Sequence, residues 1–199
     1  MISNDVRKLL HKNFIPSSPC GFILLEKEWA LLRKSFIAGE SDALNFHSLF
    51  ISSSQLSFFL QRFINNDERI RSSIRKLYLN RCMNITTLAN LNLPMLKTLD
   101  VRSAFELQSI DVRDLPSLEV LHLRYCRNCY DIKVDDLAHL IRLDLESCKK
   151  LVTLDLSGLV RLESLELRGS TKFKEVKGRG DLVSLKYLDM RCCTSLESL

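Results

Sequence analysis

The stretch LEVLHLRYC, residues 118–126, has apolar leucines at its first, fourth and sixth positions and a cysteine at its ninth. The same pattern recurs as IRKLYLNRC (74–82), LKTLDVRSA (96–104), LIRLDLESC (140–148), LESLELRGS (162–170) and LKYLDMRCC (185–193). The fourth positions of the six copies follow one another every 22 residues, with a last interval of 23. They are Leu77, Leu99, Leu121, Leu143, Leu165 and Leu188. A fixed period of this length predicts stacked structural repeats.

Six consecutive copies of Leu-x-x-Leu-x-Leu-x-x-Cys resemble the leucine-rich repeat family over residues 74–199. The resemblance implies an α/β solenoid with short parallel strands on a concave face that binds other proteins, and a mostly irregular convex side. The cysteine-containing, cytosolic style is similar to the repeat regions of plant resistance receptors, F-box substrate receptors and secreted bacterial effectors. The second half of each repeat, such as LVTLDLSGLVR (151–161), is too short for a full helix, so we expect it to be extended or tightly turned.

The first third of the chain differs in composition from the repeats. It contains eight of the ten phenylalanines and the single tryptophan, so we expect residues 1–73 to form a helical N-terminal cap with a first strand-helix unit, and residues 74–199 to form six rungs of about 22 residues. Helices are predicted around Val6–Phe14, around Leu25–Phe36 and after Ser52, where Gln55 completes a capping-box signature. The stretch FHSLFIS (46–52) is interpreted as a strand.

The seven cysteines raise the question of a metal or redox site, because Cys126 and Cys129 form a Cys-x-x-Cys pair. The repeat offers a structural explanation. Cys126 occupies the ninth position, where a small residue with a weak donor can reach a backbone carbonyl, and Cys129 occupies an apolar core position. No further ligands lie at a suitable spacing, so we expect no metal and no cofactor. Cys192 is expected to be partly exposed, which leaves a reactive thiol open at that position.

Composition narrows the function class. Hydrophobic residues make up 46% of the chain and charged residues 27%, as in a soluble folded protein. The net charge of +5 is spread along the sequence, so we expect no nucleic-acid partner. No apolar run reaches the roughly 18 residues of a membrane span and no signal peptide is recognisable, so we expect no membrane insertion and a cytoplasmic location, in the producing cell or in a host. His, carboxylate and nucleophile positions do not converge, so we expect no enzyme.

The candidate site follows from the alternation of side chains along each predicted strand. At equivalent outward positions of successive repeats, acidic residues form one column, arginines form the next, and a tyrosine lies near each end of the array. These side chains could pair with one another, or they could anchor a protein partner of mixed charge. The predicted partner-binding residues are Tyr78, Asp100, Arg102, His122, Arg124, Asp144, Glu146, Glu166, Arg168, Tyr187, Asp189 and Arg191.

Two alternatives stay open for partners. The repeats could be the substrate-recognition arm of a ubiquitin-ligase adaptor, or of a bacterial effector that acts on host proteins through residues 1–73. A half-repeat begins at Leu196 after the last rung, so we expect either that the array continues or that another subunit covers the last rung, which leaves end-to-end self-association at the C-terminal end open. The identity of the partner does not follow from the sequence.

Overall fold

A computed structural model describes residues 33–34, 36–39 and 41–197 of the chain. The helix predicted around Val6–Phe14 lies outside the described residues, as does most of the helix predicted around Leu25–Phe36. Residues 33–34 and 36–37 are helical, and Phe36 is buried. The helix ends at Gly39, whose backbone has a φ of 72° and whose N–H donates to the carbonyl of Phe36 at 3.1 Å.

The described chain winds back and forth between two sides, each built from short parallel strands. On one side β1 (Ala43–Asn45), β2 (Lys76–Tyr78), β4 (Thr98–Asp100), β6 (Val120–His122), β8 (Arg142–Asp144), β10 (Ser164–Glu166) and β12 (Tyr187–Asp189) pair in that order as a seven-stranded sheet. On the other side β3 (Thr87–Leu88), β5 (Ser109–Asp111) and β7 (Asp131–Lys133) pair together, as do β9 (Thr153–Asp155) and β11 (Glu175–Lys177). The fold is therefore the predicted parallel solenoid of leucine-rich repeat type, and its second side is more regular than expected.

The leucines that define the repeat lie directly above one another. Leu99 pairs with Leu77 on one side and Leu121 on the other, and the same register continues to Leu188. These leucines are at most 1% exposed up to Leu165, whereas Leu188 in the last strand is 43% exposed. The core is thus a continuous apolar column that each rung shares with its neighbours, as expected for a repeat array. End-to-end association through the Leu188 end stays a prediction.

The strand predicted at residues 46–52 is wrong, because β1 lies just before it. Leu44 pairs with Leu77 at an interval of 33 residues, and Phe46 is buried where later rungs have a leucine, valine or methionine. The pattern Leu44-x-Phe46-x-x-Leu49 is a copy of the repeat in which phenylalanine replaces the leucine of the sixth position and leucine replaces the cysteine of the ninth. The longer interval accommodates helices that later repeats lack, and this obscures the register in the sequence.

Those helices are α1 (Ser53–Phe59), a π-helical turn (Leu60–Ile64) and α2 (Glu68–Ser73). The predicted capping box is confirmed: Ser52 Oγ accepts the N–H of Gln55 at 3.2 Å, and Gln55 Oε1 accepts the N–H of Ser52 at 2.9 Å. Leu56 and Phe59 of α1 are buried, so this face packs on the core. Helix α2 was not predicted, and the division of the chain at residue 73 into cap and repeats stays a prediction.

A second ladder of hydrogen bonds fixes the turns that leave the seven-stranded sheet. Ser103, Tyr125 and Ser147 have positive φ angles of 59°, 65° and 61°. Each donates its N–H to the next rung; for example, the N–H of Ser103 donates to the carbonyl of Arg124 at 2.8 Å. These left-handed residues therefore hold equivalent turns in register from rung to rung, and they align the side chains on either side of the turn.

Candidate functional site

The predicted partner-binding residues share the outward side of the seven-stranded sheet, which we call the sheet face. Tyr78, Asp100, His122, Asp144, Glu166 and Asp189 are the third residues of successive strands and pair side by side in register. Two residues further along lie Arg102, Arg124, Glu146, Arg168 and Arg191. Tyr187, the first residue of β12, completes the set. Neighbouring strands are about 4.8 Å apart, so the face is one compact surface.

An aspartate and an arginine two residues later form a clamp at two places on this face. Asp100 is buried; its Oδ1 accepts the backbone N–H of Arg102 at 3.1 Å and Nε–H at 2.9 Å, and its Oδ2 accepts the terminal N–H at 2.6 Å. Asp189 holds Arg191 in the same way, with corresponding distances of 3.1, 2.9 and 2.7 Å. Hydrogen bonds from the guanidinium of Arg191 lower the pKa of Asp189 to about 2. The carboxylates therefore lie at the base of the face, and the guanidinium groups stand above them.

The centre of the face is arranged differently, because charge pairs there cross between strands. Arg124 pairs with Glu146 of the next rung at 2.7 Å and lies over the ring of Tyr125, 5.0 Å from its centroid. His122 Nδ1 lies 3.6 Å from Asp144 Oδ2 and has no hydrogen-bond partner in the described part of the chain. Burial raises the pKa of Asp144, but His122, the N–H of Glu146 and Arg124 outweigh it, so that the pKa lies below its ordinary value.

The C-terminal third of the face is open. A hollow of about 420 Å³ lies there, lined in part by Arg142, Ser164, Glu166 and Tyr187. Arg142, Glu166 and Arg168 form no ion pair with another described residue, and Tyr187 is 49% exposed. The sequence prediction did not include Arg142 in the site. Its alternation with the buried Leu143 was the available signal.

The ninth-position cysteines act as hydrogen-bond donors inside the core. The thiols of Cys82, Cys126 and Cys148 donate to backbone carbonyl oxygens of the preceding rung at 2.9, 3.2 and 3.4 Å. At the same position Ser170 donates through Oγ at 3.0 Å to the carbonyl of Leu145. Burial raises the pKa of Cys82 and of Cys126 to about 12, so these groups are neutral thiols. The structural interpretation of this position is confirmed.

Cys129 and Cys192 lie as the repeat predicts. Cys129 is buried in the core, and burial raises its pKa. Cys192 has a positive φ of 61° and is exposed, as predicted. Among the described residues, no group of three His, Cys, Asp or Glu side chains is arranged to hold a metal ion. No helix in the described part of the chain is long and apolar enough to span a membrane.

No protein-family model and no curated protein matches the chain. Among solved structures, it is similar to the leucine-rich repeat domain of the type III effector XopL, at 17% sequence identity and a TM-score of 0.39. The alignment covers 97% of this chain and 82% of that domain structure. At such values, the assignment of the fold rests on the strand pairing and the internal repeats of this chain.

Proposed function

We propose that the chain is a non-enzymatic interaction module that binds a protein partner on its sheet face. The observation that carries the proposal is the layering of charge at Asp100 and Asp189, which are 2% and 8% exposed beneath their arginines. Carboxylates that hold one edge of a guanidinium fix its orientation and leave further N–H groups for a partner. Arginine and tyrosine also dominate the energetics of protein interfaces.

The hollow at the C-terminal third of the face supports the same proposal. It combines an exposed aromatic side chain, Tyr187, with the unpaired charges of Arg142 and Glu166. An aromatic anchor beside charges of both signs suits a protein surface of mixed charge. Elsewhere on the face Arg102, Arg124 and Arg191 each pair with a carboxylate of the chain, so we expect the hollow to contribute most to affinity.

A reducing compartment, such as the cytoplasm of the producing cell or of a host, is part of the proposal. The thiols of Cys82, Cys126 and Cys148 each donate a hydrogen bond that a disulfide could not make. Reduced thiols persist in the cytosol and are oxidised in secretory compartments.

The test compares two double variants in affinity purification. Arg142→Glu with Tyr187→Ala alters the hollow, whereas Thr153→Ala with Lys177→Glu alters exposed residues of the second side. We expect the first variant to lose a partner that the unmodified chain and the second variant retain. The captured protein is then purified and titrated, and we expect its affinity to fall at least about tenfold with the first variant.

The opposite result would count against the sheet face. If both double variants keep the partner and deletion of residues 1–32, which leaves β1 and the buried Phe36 in place, removes it, binding belongs to the N-terminal region. That outcome would favour the adaptor or effector role that the sequence leaves open for residues 1–73.

A further inference from the structure

One edge of the solenoid is built from the loops that lead from the seven-stranded sheet to the second side. These loops are residues 79–86, 101–108, 123–130, 145–152, 167–174 and 190–197, and we call the surface they form the basic edge. They stack because the left-handed residues at their starts are tied from rung to rung; the N–H of Ser147, for example, donates to the carbonyl of Arg168 at 2.8 Å.

Positive charge is concentrated on this edge. From residue 74 onward the chain has twenty Lys and Arg residues and seventeen Asp and Glu residues, and the edge contains ten of the former but only three of the latter. Four of the ten cations pair with carboxylates. The other six form no ion pair with any residue that the structure describes: Arg81, Arg127, Lys149, Lys150, Arg168 and Lys172.

Several of these unpaired cations face each other across neighbouring rungs. Lys150 and Lys172 occupy equivalent positions one repeat apart, and so do Arg127 and Lys149. The rungs there are joined by the N–H of Cys148, which donates to Ser170 Oγ at 3.1 Å. Like charges directly opposite each other destabilise a stack, since strands are only about 4.8 Å apart. Folding does not require these cations to lie side by side, whereas an anionic ligand would offset the repulsion between them.

Acidic side chains cluster instead where the strands of the second side lead back to the seven-stranded sheet, and we call this region the acidic side. A hollow of about 410 Å³ there is lined by four aspartates, with Asn90 and a single arginine, Arg113. The aspartates are Asp111, Asp114, Asp135 and Asp136. The net charge of +5 is thus not a uniform property of the surface. The basic edge alone has an excess of seven positive charges.

We propose that the basic edge binds a carboxylate-rich segment of a protein partner. This inference rests on the proposed function, because Arg168 belongs both to the sheet face and to the edge and joins the two surfaces. A partner seated on the sheet face would continue over Arg168 onto Lys149, Lys150 and Lys172. Opposite charges of this kind steer association and set specificity.

Two features favour carboxylates over the phosphates of a nucleic acid. Glu146 lies between Arg124 and Arg168 in the stack and interrupts the positive charge there, which suits separate carboxylates on flexible side chains better than the evenly spaced phosphates of a nucleic-acid backbone. Free aromatic faces are also scarce on the edge: Arg127 lies over Phe105 at 5.6 Å, Arg124 lies over Tyr125 at 5.0 Å, and Phe173 is buried, so that Tyr130, which is 56% exposed, is the one open ring among the described residues of the edge. Single-stranded nucleic acids usually need free aromatic faces on which bases stack.

The test uses a fluorescent poly-L-glutamate peptide of about 20 residues, titrated with the full chain at about 50 mM salt, where screening is weak. The edge variant Lys149→Gln, Lys150→Gln, Lys172→Gln is compared with the control Lys133→Gln, Arg161→Gln, Lys177→Gln. Both remove three positive charges from exposed positions, but the control positions lie outside the basic edge. We expect the edge variant to bind the peptide about tenfold more weakly and the control to bind it within about twofold of the unmodified chain.

Several outcomes would overturn the inference. Equal losses of affinity in both variants would mean that the peptide responds to net charge alone. If the peptide does not bind the unmodified chain, the edge is not a site for carboxylate-rich segments. Tighter binding of an oligothymidylate or of phosphatidylserine vesicles, lost in the edge variant, would assign the edge to nucleic acid or to a membrane surface. Self-association of the chain at low salt, abolished in the edge variant, would assign it to the acidic side of a second copy.

Failure of this inference can be distinguished from failure of the proposed function. The edge variant leaves Arg142 and Tyr187 unchanged, and the sheet-face variant leaves the three lysines unchanged. If the sheet-face variant loses its partner while poly-L-glutamate does not bind, the proposed function stands and the inference about the edge fails.

Discussion

Substitution of Cys148 tests the packing of the ninth position quantitatively. The thiol is fully buried and donates to the carbonyl of Leu123 at 3.4 Å. In Cys148→Ser we expect the hydroxyl to act as Ser170 does, which donates to the carbonyl of Leu145 at 3.0 Å and accepts the N–H of Cys148 at 3.1 Å. Two hydrogen bonds, each with a net value of about 1 kcal/mol, offset the burial of the hydroxyl, so the variant should lose about 1 kcal/mol or less.

Larger and smaller side chains should be less well tolerated. Cys148→Ala removes the donor and part of the packing, for an expected loss of about 1–2 kcal/mol. Cys148→Leu places a longer side chain between two stacked rungs, and overpacking of this kind typically costs about 1–3 kcal/mol. The matched control is Cys192→Ser, since Cys192 is exposed, and it should change stability by no more than about 0.5 kcal/mol.

The assay is urea unfolding of each variant, compared by midpoint at unchanged slope, so that differences reflect stability. The expected order is Cys192→Ser, then Cys148→Ser, then Cys148→Ala, with Cys148→Leu at or below the alanine variant. Equal midpoints for the serine and leucine variants of Cys148 would refute the argument, because they would mean that the position is not confined between rungs.

Three further predictions follow from the geometry. In Gly178→Ala the new Cβ would clash with the backbone nitrogen of Ser157 in the preceding rung, so we expect a loss of about 2–4 kcal/mol in urea unfolding; Gly39→Ala, with a similar positive φ and open space, should lose only about 1 kcal/mol. In Arg191→Ala the pKa of Asp189 should rise from about 2 towards the ordinary aspartate value of about 3.9, as measured by NMR titration of the carboxyl carbon; an unchanged pKa would contradict the clamp. The pKa of Asp144 is lower in the folded chain than in the unfolded chain, so its ionised carboxylate stabilises the fold above the unfolded pKa and this contribution is lost as the pH falls through the folded pKa. In Asp144→Asn the urea midpoint should therefore decline less steeply below about pH 5.

The sequence predicted those features that depend on the repeat period alone. The in-register leucines from Leu77 to Leu188 and the buried donor at Cys126 follow from residue spacing, because each rung repeats the environment of the previous one. The strand at residues 43–45 did not follow, since phenylalanine replaces leucine at Phe46 and inserted helices lengthen the interval to the next rung. A pattern search recognises constant intervals and constant residue types, and this rung has neither.

The sequence also predicted the columns of the sheet face but not the pairing within them. Arg102 turns back to Asp100 in its own strand, whereas Arg124 reaches Glu146 in the next rung. Which carboxylate an arginine pairs with depends on side-chain rotamers, and these are not specified by the alternation of inward and outward residues along a strand. The basic edge was missed for a different reason. A period of 22 residues distributes cations such as Lys150 and Lys172 evenly along the chain, and only the stacking of rungs brings them together.

The most direct test of the account is hydroxyl-radical footprinting of the full chain with and without its purified partner. Tyr187 on the sheet face is 49% exposed and Met95, in a loop that returns from the second side to the seven-stranded sheet, is 38% exposed, so both should be oxidised in the free chain. If the sheet face is the binding surface, the partner protects Tyr187 and leaves the oxidation of Met95 unchanged. Protection of Met95 with undiminished oxidation of Tyr187 would contradict the account.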